Sequence, residues 1–64
     1  MAEIRVTYYE RDESAGVLAE VSHEEFTGRT SKQAMLAAVE SAERWIGPDR
    51  RARTYRIERL LAPD

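Results

Sequence analysis

The sequence predicts an α+β domain: a small antiparallel sheet in the order β-β-(β)-α-β, with one amphipathic helix packed on one face. Three observations carry that prediction. Apolar and polar residues alternate with a period of two between Ile4 and Val21, the apolar spacing becomes helical between Met35 and Ile46, and strand-like alternation returns between Thr54 and Leu61. A period that switches from two to 3.6 and back marks sheet, helix and sheet in turn. A sheet with one apolar face is stable when an amphipathic helix covers it.

Taken in order, Ile4, Val6 and Tyr8 alternate with Arg5, Thr7 and Tyr9, a β-branched and aromatic pattern that reads as a half-buried strand. Arg11-Asp12-Glu13-Ser14-Ala15-Gly16 is polar and closes on a glycine able to take a positive φ, so a hairpin loop follows. Val17, Ala19 and Val21 then alternate with Leu18, Glu20 and Ser22 in a second strand, antiparallel to the first. The polar run Ser22-His23-Glu24-Glu25 ends it, and Phe26-Thr27-Gly28-Arg29 reads as a short third strand entering the helix.

Thr30 and Gln33 have the spacing of a capping box, in which each side chain satisfies a backbone N–H of the other residue. From there Met35, Ala38, Val39, Ala42, Trp45 and Ile46 line one helical face, while Glu40, Ser41, Glu43 and Arg44 look outward. Trp45 is expected to be the largest piece of the core. Gly47 followed by Pro48 stops the helix, because glycine suits the left-handed residue just past the end and proline cannot continue the pattern. After the loop Pro48-Asp49-Arg50-Arg51, the last strand runs from Thr54 to Leu61 with Tyr55, Ile57 and Leu61 on one face.

Sixty-four residues make one domain, 1–64, too small for a deep pocket. At 42% hydrophobic and 34% charged residues the chain has too much apolar surface for a disordered tail. With no cysteine and His23 as the lone histidine, neither a disulfide nor a metal is expected to supplement so small a core, which leaves oligomerisation. A homodimer is therefore expected, joined through the sheet or its edge, where Thr7, Tyr9, Leu18 and Leu60 leave apolar area on the face away from the helix. The N-terminus lacks the pattern of a signal peptide and the apolar run Ala34 to Val39 is far too short to span a bilayer, so a cytoplasmic protein without membrane contact is expected.

No enzyme is expected, and no cofactor, since the chain lacks convergent groups with room for a water-excluding pocket. His23, Glu24 and Glu25 are adjacent and do not converge in an extended chain, so they read as a solvated turn rather than a metal or acid–base cluster. Glu10, Asp12 and Glu13 lack the register of a calcium loop. The most suggestive group is Arg50, Arg51, Arg53, Arg56 and Arg59 with Tyr55 among them. Guanidinium forks pair with phosphates and an aromatic ring stacks on bases, so nucleic-acid contact is one reading. Against it stand a net charge of −2 and a first segment, Met1 to Glu25, with seven acidic and two basic residues. The same arginines suit an acidic protein surface, or the acidic strands of this very sheet. A protein-binding module is the first expectation, and a small nucleic-acid-binding regulator the alternative.

The run Thr7-Tyr8-Tyr9-Glu10-Arg11-Asp12-Glu13-Ser14-Ala15-Gly16-Val17-Leu18-Ala19-Glu20-Val21 resembles the opening hairpin of the HicB-like antitoxin family. Thr27-Gly28-Arg29-Thr30-Ser31-Lys32-Gln33-Ala34 is similar to that family's entry into an alanine-rich helix. The resemblance implies a β-β-β-α-β domain that sequesters a small ribonuclease toxin, with RNA involved only indirectly. Where the family carries a proline- and glycine-containing segment between strands, this chain has Ser22-His23-Glu24-Glu25-Phe26. The DNA-binding helices that commonly follow are not in this sequence, so operon autoregulation is not expected of it.

Overall fold

A computed structural model describes residues 1–48 and 50–61, Leu61 through its backbone alone. Asp49, within the expected loop, lies outside the described residues. The elements are β1 (Ala2–Asp12), β2 (Val17–Gly28), α1 (Ser31–Ile46) and β3 (Arg53–Leu61). They form the expected α+β arrangement: an antiparallel sheet of order β2-β1-β3, with α1 on one face.

β1 takes the centre because its residues alternate most cleanly. Ala2, Ile4, Val6 and Tyr8 are all buried on the helix side. α1 meets them with Ala34, Ala38, Ala42 and Ile46, a stripe repeating every four residues whose three alanines let the helix lie close to the sheet. The approach is closest at its start, where a β-carbon on Gly28 would lie 2.8 Å from the Ala34 nitrogen. That contact requires glycine for space rather than for backbone conformation.

The hairpin between β1 and β2 turns at Gly16, whose φ is +70°. Asp12 holds the turn by accepting hydrogen bonds from the Ser14 hydroxyl (2.7 Å) and the Ser14 amide (3.0 Å). The expected third strand is not separate. Phe26 to Gly28 is the end of β2, which runs unbroken through Ser22-His23-Glu24-Glu25 because each of those residues has a partner on β1. A polar run is compatible with an edge strand that has one solvated side. The irregularity lies one residue earlier: Tyr8 faces Ser22 and Tyr9 faces Glu20, leaving Val21 as an extra residue in a β-bulge.

Two expectations about the core change. Trp45 is half-buried at the rim, and the largest fully buried side chain is Tyr8, against which the Trp45 ring packs at 4.8 Å between centroids. Val17 and Val21, read as apolar strand positions, are exposed, since the hairpin extends beyond the helix. This overhang stretches the molecule to 44 × 20 × 13 Å with a radius of gyration of 13.0 Å, against about 10.7 Å for a compact domain of this length.

α1 begins at Thr30, whose Oγ1 accepts from the Gln33 amide at 3.2 Å, while Gln33 Oε1 accepts at 3.1 Å from the Arg29 amide, one residue before the Thr30 amide that the capping box predicts. It ends at Gly47, φ +55°, whose N–H donates to the Glu43 carbonyl. α1 packs chiefly over β1 and β2 and touches β3 least. On β3, Tyr55 and Ile57 face the helix side opposite Tyr8 and Val6, as expected. A second bulge at Leu60 puts Leu61 opposite Glu3, out of step with them.

Candidate protein-binding surface

Alternation along β3 divides the arginine cluster between two faces. Arg53, Tyr55 and Arg59 pair with Glu10, Tyr8 and Ile4 on the helix side, whereas Arg56 pairs with Thr7 on the opposite side. Arg50 and Arg51 lie in the connection before the strand. The six residues therefore form no single patch.

Their bonding differs as much as their direction. Arg53 is a structural staple: its Nε donates to Glu10 at 3.0 Å, its Nη1 donates to the Trp45 carbonyl at 2.9 Å, and its guanidinium stacks 5.0 Å from the Trp45 ring centroid. One side chain thus ties β1, β3 and the helix end together, and a cation stacked on indole gains from the ring quadrupole. Arg50 is paired with Glu43 at 2.8 Å and Arg56 with Glu58 at 2.9 Å; both pairs are exposed and contribute little stability. These carboxylates raise the pKa of both guanidiniums, and Arg56 in turn lowers that of Glu58, first through the hydrogen bond and then through charge. Arg51 and Arg59 are exposed without an ion pair among the described residues. Tyr55 is half-buried against the core.

Around Arg5 and Thr7 the sheet face away from α1 is a checkerboard of charge, and the apolar area expected of it is confined to Tyr9 and the exposed Leu18 further towards the hairpin. Arg5 stands between Glu25 on β2 and Glu58 on β3, and Thr7 stands between His23 and Arg56. Arg5 Nη2 donates to Glu25 at 3.1 Å, and its Nε is buried without a hydrogen-bond partner among the described residues. Thr7, at the centre, is only 5% exposed under its longer neighbours. A face whose cations are already matched by carboxylates has little net field to draw a polyanion.

On the helix side lies an arrangement that local sequence patterns did not disclose. The Tyr8 hydroxyl donates to Glu24 Oε1 at 2.6 Å, and Ser41 Oγ donates to the same oxygen at 3.0 Å. Burial, then the adjoining carboxylate, raises the Tyr8 pKa. The Tyr8 and Ser41 hydroxyls hold Glu24 below the ordinary carboxylate range. Glu24 thereby joins β1, β2 and α1. His23 and Glu25 point to the opposite face, and no group of three or more His, Asp or Glu side chains converges among the described residues. No described helix is long and apolar enough to cross a membrane.

Comparison with known protein families, characterised proteins and solved structures finds no match.

Proposed function

We propose that this chain is a non-catalytic protein-binding module that engages its partner along β3. The observation that carries this reading is the state of that strand. β3 is a sheet edge that α1 covers least, and it presents Arg56, Arg59 and Leu60 to solvent. An edge strand offers a row of main-chain donors and acceptors to a further strand, and its exposed side chains select which strand docks. The internal matching of charge on the open face favours a protein partner over nucleic acid. In the antitoxin-like version of this reading the partner is a small ribonuclease toxin, and the site of action is the cytoplasm.

Native mass spectrometry of the gently purified full chain tests this, with an Arg56→Glu/Arg59→Glu variant alongside. A protein retained by the wild type and lost from the variant is the expected result. Bound nucleic acid that leaves as salt rises would overturn the reading, because phosphate contacts release counterions on binding.

A further inference from the structure

The β3 edge is self-complementary about Ile57. One step out on either side stand Arg56 and Glu58, which share the open face opposite Thr7 and Arg5. Two steps out stand Tyr55 and Arg59, which share the helix face opposite Tyr8 and Ile4. In an antiparallel contact about a two-fold axis at Ile57, each residue meets the one equally far beyond the axis in the other copy. Arg56 would then face Glu58 of the second copy, and Tyr55 would face Arg59, an aromatic ring opposite a guanidinium.

The chain also exposes 4733 Å², against about 4200 Å² for a compact monomer of its mass.

We infer that the occupant of the β3 edge is a second copy of this chain, joined by antiparallel β3–β3 pairing into one six-stranded sheet of order β2-β1-β3-β3-β1-β2. Six strands about 4.8 Å apart span about 24 Å; with each α1 centred over β1 and β2, the two helices stand about 19 Å apart on one face, too far to pack on each other, so β3 makes the contact. The inference rests on the edge reading above and names its partner.

Charge reversal tests it on the full chain by sedimentation equilibrium over a wide concentration range. The wild type is expected to dimerise. Arg56→Glu and Glu58→Arg each place two like-charge pairs across the axis, so each alone dimerises on the order of tenfold or more weakly. An equimolar mixture restores a dimer containing one of each, and R56E/E58R in a single chain restores the homodimer. Both positions are exposed, and circular dichroism melts check that each variant folds. A wild type that stays monomeric, or single variants that dimerise as well as it does, would sink the inference. If the wild type is monomeric but Arg56→Glu still loses a protein partner in native mass spectrometry, the edge reading survives without the second copy. If neither association responds to β3 substitutions, both readings fall.

Discussion

Tyr8 shows how much one side chain carries in a core this small. Its ring is the largest fully buried group and packs on Trp45, while its hydroxyl reaches Glu24 at the helix–sheet seam. Tyr8→Phe keeps the ring and removes the donor, leaving Glu24 with Ser41 alone. A hydrogen bond to a charged group contributes about 1.5–3 kcal/mol, and the exposure of Glu24 brings the expected loss to about 1 kcal/mol. Thermal melts should show the midpoint falling by roughly 4–8 °C. An unchanged midpoint would mean that the Tyr8–Glu24 bond contributes nothing. The sequence marks Tyr8 as inward-facing, since it continues the alternation of Ile4 and Val6. It does not reveal the bond, which joins residues 16 positions apart through a register that the Val21 bulge sets. Arg53 makes the same point: among five arginines nothing local distinguishes the one held by Trp45 and Glu10 from the exposed Arg51 and Arg59.

At the scale of elements, the ends of α1 are its most locally determined features. Thr30 and Gln33 close the start and Gly47 the finish, each through bonds within four residues of itself. Such features are legible in sequence because their partners are sequence neighbours. Thr30→Ala should destabilise the chain by about 1 kcal/mol, measured by urea unfolding, while Thr30→Ser should keep most of the wild-type stability. Equal losses in both variants would argue that packing of the threonine methyl, not the cap, is at stake. The buried face was legible in part: Ala38, Ala42 and Ile46 are buried as expected, Ala34 joins them, and Met35, Val39 and Trp45 of the expected stripe are half-buried. The larger apolar residues lie on the flanks because close approach at Gly28 favours the smallest side chains at the contact line. The break expected within β2 failed for a related reason. A polar run looks like a loop when its cross-strand partners are not known, and here Arg5 faces Glu25 while Tyr8 bonds Glu24.

For the molecule as a whole, the charge asymmetry of the sequence becomes a set of links between its early and late segments. Arg53 reaches back to Glu10, and Arg56 and Glu58 flank the strand that carries Arg5. The cationic half thus folds onto the anionic half, a long-range balance that composition allows and only topology establishes. Three carboxylates depend on local donors in the folded state. Asp12 is held low by the Ser14 hydroxyl and then the Ala15 and Ser14 amides, Glu24 by Tyr8 and then Ser41, and Glu58 by Arg56. All three shifts are downward, so between the folded and unfolded pKa values the native state binds fewer protons than the unfolded chain. Their contribution is present above the ordinary carboxylate pKa values of about 4 and is lost as pH falls through the lower, folded values. Melting midpoints should therefore hold from neutral pH down to about pH 5 and fall below about pH 4. Glu24→Gln should lower the midpoint at neutral pH and make the acid fall shallower, because an amide has no proton to gain. A variant whose acid limb keeps the wild-type slope would show that Glu24 takes no part in it, and would shift the burden of acid sensitivity to the exposed carboxylates of the hairpin tip and β3.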